Sequence, residues 1–156
     1  MRADFSDRPV LIPAGTLGAQ SDLVVSPQHR LLLNGPDAAG GEVLVPAKAL
    51  IGQRGIRCMR GQRRIDWHHF ALSRHELVRV NGVWTESLFL GPMVLGGMTA
   101  YQRLALRGLF AAVQGDALNG PPVRPFLSVR QARAMTGRRK MRGPRGVVRC
   151  HDPFAV

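Results

Sequence analysis

Short apolar runs, cut every few residues by glycine or proline, set the pattern of this chain. Val10-Leu11-Ile12 is closed by Pro13 and Gly15, Leu23-Val24-Val25 is broken at Pro27, and Leu31-Leu32-Leu33 stops at Asn34-Gly35. Runs of this length, bounded by turn formers and rich in branched aliphatic residues, predict strands. Val43-Leu44-Val45 predicts another, after which Pro46 opens a single helical turn reaching Leu50. Residues 65–72 and 76–80 predict a pair of strands joined around Ser73-Arg74. Asn81-Gly82 predicts a tight turn, positive φ being cheap at both positions, and Val83, Trp84 and residues 88–90 extend the β pattern to Gly91-Pro92.

The period changes after Met98. Thr99 predicts a helix N-cap, and Tyr101, Leu104, Leu106, Leu109, Phe110 and Val113 recur at helical spacing until Gly115. Ser128 predicts the cap of a second, shorter helix, with Val129, Ala132 and Met135 on one face and Gly137 at its end. Residues 2–8 predict a disordered lead-in, the stretch after Gly137 predicts a segment disordered or folded only on a partner, residues 36–41 predict a loop of small residues, and residues 52–64, rich in arginine, predict a hairpin end or an exposed ribbon.

Composition narrows the picture without fixing a function. A chain of 156 residues with 45% apolar content supports one core, and 18 Gly with 11 Pro favour short strands over long helices. No run approaches the ~18 apolar residues of a membrane span, and the first residues lack the apolar core of a signal peptide, so a cytoplasmic setting is the default expectation. Cys58 and Cys150 form neither a disulfide framework nor a metal pair, and whether they pair stays open. Net charge is +12, and from Ala117 onward nine basic residues face one acid, Asp152. Such a surface attracts nucleic acid, anionic lipid or an acidic protein, so a basic polyanion-binding module is the alternative function.

Three groups carry candidate chemistry. Ser26 and His29 stand three apart at the corner between two predicted strands; an imidazole transfers protons near neutral pH and a hydroxyl beside it can bond a carbonyl, although a Ser at such a corner also serves simply to close the turn. Asp66-Trp67-His68-His69 is followed by His75, and alternation along a strand lets only one of the adjacent pair share a site with His75. Cys58 lies between Arg57 and Arg60, a cationic setting that suits a reactive thiol, although an exposed or half-buried structural cysteine is the plainer reading. A zinc site drawn from these residues lacks the close ligand spacing of zinc motifs, so neither metal nor cofactor is expected.

Taken together, four blocks resemble the bacterial branch of the Hedgehog/intein (Hint) autoprocessing family, in the family's order. They are RPVLIPAGTLG at 8–18, DLVVSPQHRLLLNG at 22–35, VLVPAKAL at 43–50 and HFALSRHELVRVNGVWTESLFLG at 69–91, with an echo in RPFLSVRQAR at 124–133. The resemblance implies a mainly β, horseshoe-like fold that cleaves its own backbone after an N-to-S acyl shift. In that family a cysteine attacks the preceding carbonyl while a Thr or Ser and a His, three apart, polarise and protonate the scissile peptide. Ser26 and His29 match that pair, and His69 and His75 fall in the later block that assists.

The departures set further expectations. The family's cysteine opens the domain, and this sequence has none before Cys58, which lies on the wrong side of the His29 corner to replace it. Glu86-Ser87 stand where inteins carry His-Asn, so splicing is not expected, and Ser73 stands where this branch often has Asp. The chain is therefore expected to be the C-terminal part of a Hint domain, inactive in self-cleavage alone, whether as a split half that pairs with a complementary N-terminal partner, as part of a longer precursor, or as a remnant. The expected organisation is a partial Hint β domain at 1–97, a helical appendix at 98–137 and a basic tail at 138–156.

Overall fold

The computed structural model describes residues 8–35, 41–61, 65–110 and 116–138. The predicted lead-in through Asp7, the loop tip at 36–40, Arg63, Arg64, Val113, Gly115, Cys150 and the tail after Arg138 lie outside the described residues. Among the described residues seven strands form two antiparallel sheets and three short helices follow: β1 (Val10–Ile12), β2 (Leu23–Val25), β3 (Arg30–Asn34), β4 (Glu42–Pro46), β5 (Arg57–Cys58), β6 (Leu77–Val80), β7 (Val83–Glu86), α1 (Pro92–Gly96), α2 (Ala100–Leu109) and α3 (Val129–Arg138). The fold is mainly β. One sheet has the order β2-β1-β5 and the other β4-β3-β7-β6.

The second sheet explains why Leu31, Leu32 and Leu33 are all apolar. Strand neighbours point to opposite faces, so three buried in a row require cover on both sides. Leu31 and Leu33 join Val10, Ile12, Val45, Leu50 and Ala132 in the main core. Leu32 points the other way, with Leu44 and Leu77, under Val123 and Phe126. That cover is delivered by the C-terminal segment, which lies along β4: Leu44 N–H donates to Pro125 O at 2.9 Å and Leu127 N–H to Leu44 O at 3.0 Å.

The turns form for the reasons their residues suggest. After Pro46, the segment Ala47–Leu50 makes a 3-10 turn, with Ala47, Ala49 and Leu50 buried. Asn81 (φ 50°) and Gly82 (φ 85°) both occupy the left-handed region and join β6 to β7. The hairpin tip packs against the loop after β1, where Asn81 Nδ2 donates to Ser21 O at 2.6 Å. A Cβ on Gly82 would lie 2.2 Å from the Gly18 carbonyl oxygen. Gly82→Ala is therefore expected to destabilise the chain by more than about 1 kcal/mol, because the φ and the backbone contact both oppose it; urea unfolding checks this.

Two predicted elements differ. Residues 65–72 are not a strand, and β6 pairs instead with β7. The side chains from Asp66 to Phe70 are all exposed, so a sheet would gain no burial by pairing them. The segment is held instead by Leu88 N–H donating to Phe70 O. Residues 88–90 likewise leave the β ladder after Glu86, where the buried Asn119 takes over their bonding. Its Oδ1 accepts from Leu90 N–H at 2.9 Å and its Nδ2 donates to Leu88 O at 2.8 Å.

Within 98–137 the two helices are placed differently. α3 docks in the main core through Ala132 and Met135, and Ser128 caps it, its Oγ accepting from Gln131 N–H. α2 has the predicted Thr99 cap, closed reciprocally by Gln102, but buries no residue.

Candidate functional site

The corner between β2 and β3 is tied to the rest of the fold through its backbone. His29 N–H closes the turn on Ser26 O at 3.1 Å, while Ala47 N–H donates to His29 O at 2.9 Å and Lys48 N–H to Pro27 O at 3.0 Å. Pro27 is buried and His29 half-buried. The 3-10 turn after Pro46 thus clamps the corner from one side, and β7 meets it from the other.

The residue that orients the imidazole is Thr85, which no sequence motif marks. Thr85 sits opposite Leu31 in the β3–β7 register and is buried. Its Oγ1 lies 2.7 Å from Arg30 O and 2.5 Å from His29 Nε2. A carbonyl can only accept, and a hydroxyl has one proton, so Thr85 donates to Arg30 O and accepts from His29. The ring proton of His29 is thereby placed on Nε2, and Nδ1 is left as the acceptor in the neutral ring. Among the described residues Nδ1 and the Ser26 hydroxyl have no hydrogen-bond partner, and no partnerless side-chain nitrogen or oxygen is sealed from solvent. Both polar groups of the corner are therefore open to a ligand.

Burial lowers the pKa of His29 below 6.5; Glu86 opposes the shift, and the nearby His69 and Arg30 add to it. His29 is therefore neutral at pH 7. The sign follows from which state binds the proton: below about pH 6.5 the unfolded chain protonates at this position before the folded chain does, so stability falls as pH drops. Wild type is expected to lose stability relative to His29→Gln as pH falls from 6.5 through the lowered folded pKa, and to run parallel to it above pH 7. Paired urea titrations check this.

His69 approaches the corner. Its ring is stacked with that of His29 at 6.4 Å between centroids and 28° between planes, and it is itself exposed. His75 is not brought to the same place. Thr85 and Glu86 are successive in β7 and point to opposite faces: Thr85 to the corner, Glu86 to the face it shares with its register partner Leu77. There Glu86 Oε2 lies 3.0 Å from His75 Nε2, and Oε1 accepts from Arg30 N–H at 3.2 Å and from the Arg30 guanidinium at 3.1 Å. His75 Nδ1 accepts from Val123 N–H at 3.0 Å, so its ring proton is on Nε2 and donated to Glu86. With Phe89 and Phe126 packed edge-on against it, His75 is a buried, fully bonded group. Arg30 stacks its guanidinium 3.9 Å from the Phe126 centroid, so one residue joins the two faces: its carbonyl serves the corner and its side chain serves the network behind it.

Cys58 is a half-buried thiol on β5. It is paired with Val10, which is paired in turn with Val25. β1 therefore separates it from the strand that leads into the corner, by two strand spacings or about 10 Å. Among the described residues no three His, Cys, Asp or Glu side chains are grouped to hold a metal ion, and no helix is long and apolar enough to cross a membrane.

The fold and the site together define a small two-sheet β domain with an oriented, neutral imidazole at a strand corner. A family model described as the Hint domain matches residues 1–92, more than half of the chain and the whole of the His29 corner and its Thr85 support. The chain belongs to the Hint domain family. No curated protein and no solved structure matches it.

Proposed function

We propose that this Hint domain carries the acid–base part of an autoprocessing centre, with His29 as the proton carrier. The observation that carries the proposal is the chain from His29 Nε2 to the Thr85 hydroxyl to the Arg30 carbonyl, which commits one ring nitrogen and leaves the other free. In the reaction, a thiol attacks the carbonyl carbon of a peptide bond. A C–S bond forms, the C–N bond breaks, and the thiol's proton passes through Nδ1 of His29 to the departing amine. The Ser26 hydroxyl is the group at hand to bond the carbonyl oxygen. His69, stacked beside His29, discourages a second positive charge there and so favours release of the proton.

The thiol is supplied by a cysteine-led segment of the same or of a paired polypeptide; among the described residues the one thiol, Cys58, is separated from the strand leading into the corner by β1. Without that segment no thiol among the described residues reaches the corner, and the chain is expected to be silent in self-cleavage. Splicing does not follow the shift, since Glu86 is committed to Arg30 and His75 and Ser87 stands beside it. Joined to a cysteine-led Hint segment, the chain is expected to release an upstream fragment on thiol treatment, seen as a new band on a denaturing gel, while the 156 residues alone give none. No band with that cysteine intact would overturn the proposal.

A further inference from the structure

The helix pair α1–α2 takes no part in the corner, yet it is well built. Thr99 and Gln102 cap each other's backbone N–H groups, and the Arg103 guanidinium donates to Leu95 O at 3.2 Å and Met98 O at 2.8 Å, which fixes α2 against the end of α1. It is also turned outward. Arg103, Leu106 and Phe110 lie on its partly covered side, while Tyr101 (81%), Leu104 (71%) and Leu109 (79%), with Met93 of α1 (66%), are exposed. Single exposed leucines need no explanation; four large apolar side chains on one helix pair do.

Charge decides what covers them. From Pro92 to Phe110 there is no Asp or Glu, and the charged residues are Arg103 and Arg107. Pairing this face with a second copy would bring together helices of like charge with no acid to offset them. The sequence adds a second cationic element, Arg138, Arg139, Lys140, Arg142, Arg145 and Arg149, with no acid before Asp152. The 18 residues after Arg138 span at most roughly 60 Å when extended, against a domain radius of gyration of about 15 Å, so these charges can reach the side on which α2 lies. Nucleic acid accounts for the cations but gives no place for Leu104 and Leu109. An apolar helix face flanked by arginine, joined by a polybasic segment, fits a surface that is both apolar and negative. We infer that α2 docks this chain on an anionic lipid bilayer, lying in the interface with Tyr101, Leu104 and Leu109 toward the acyl chains and Arg107 at the headgroups.

The test is co-sedimentation of the full chain with phosphatidylcholine vesicles, with and without phosphatidylglycerol. Wild type is expected to bind only the phosphatidylglycerol vesicles, more weakly as salt is raised. The double variant Leu104→Glu/Leu109→Glu is expected to lose at least roughly tenfold in partitioning with unchanged thermal unfolding, because neither side chain is packed. Tyr101→Ser/Met93→Ser, on the same face, is the second variant should the first not fold, and is expected to weaken binding in the same direction. Absence of vesicle binding overturns the inference. So does binding that neither pair of substitutions changes, which would leave the basic tail as the whole cause. A dimer dissolved by these substitutions, or DNA binding sensitive to them, would also overturn it.

Discussion

Glu86→Ala is expected to destabilise the chain by about 3–5 kcal/mol, the range for removing one partner of a buried ion pair, and to lower the melting temperature by roughly 10 °C. The carboxylate is nearly inaccessible (6%) and accepts from Arg30 twice and from His75 once. Its loss leaves three donors facing each other in the space it filled. Glu86→Gln is expected to cost nearly as much, for a reason specific to this site. One end of an amide is a donor, and both positions here face donors: Arg30 on one side, and His75 Nε2–H on the other. His75 cannot offer an acceptor there by changing tautomer, because its Nδ1 is committed to Val123 N–H. The loss reaches further than the pair, since Val123 anchors the segment that covers Leu32 and Leu44. Calorimetry or urea unfolding measures the effect, and a loss below about 1 kcal/mol would mean that solvent replaces the carboxylate without difficulty.

His29→Ala is expected to slow thiol-induced cleavage, in a chain joined to a cysteine-led segment, by roughly 10²–10⁴-fold, the usual contribution of a positioned acid–base group. Thr85→Val should cost less, about tenfold, because the ring remains but its proton is no longer confined to Nε2. Thr85→Ser, which keeps the hydroxyl, should restore the rate. His75→Ala separates the two histidines: it is expected to lower stability through Glu86 and Val123 while leaving the rate of the folded protein near that of wild type, since it lies on the far face of β7. Single-turnover rates, compared at a temperature where every variant is folded, distinguish these outcomes. Equal losses from His29→Ala and His75→Ala would contradict the division of labour between the faces.

Much of this fold was legible because local chemistry and tertiary placement agree. Pro27 ends one strand where the corner is, Asn81-Gly82 makes the turn its dihedral preferences demand, and Thr99 and Ser128 each cap a helix with a glutamine three residues on. Where they disagree, the deciding fact lies far along the chain. Residues 65–72 carry β-forming side chains, but those from Asp66 to Phe70 all stay exposed in the fold. α2 has a proper helical period, and the period alone does not say which way the apolar stripe faces. The three leucines of β3 gave a strand without revealing that the second of them is covered by Val123 and Phe126, some ninety residues later.

The candidate site was half legible. Ser26 and His29 stand out as a hydroxyl and an imidazole at a corner, whereas Thr85 acts from 56 residues away. Its one trace in the sequence is the alternation of Val83 and Thr85 on the inward side of a short strand, a polar residue where an apolar one would serve burial better. The separation of His69 from His75 was similarly hidden, because it depends on Thr85 and Glu86 pointing to opposite faces of β7.

Everything proposed for the corner turns on one imidazole being neutral, bonded through Nε2 and free at Nδ1. Nitrogen-resolved NMR of the His29 side chain across a pH titration measures all three directly, in the 156-residue chain and without any partner. The expected spectrum at pH 7 is that of a neutral ring with its proton on Nε2, titrating below 6.5 and losing its single tautomer in Thr85→Val. A ring protonated on Nδ1, or charged at pH 7, would contradict it.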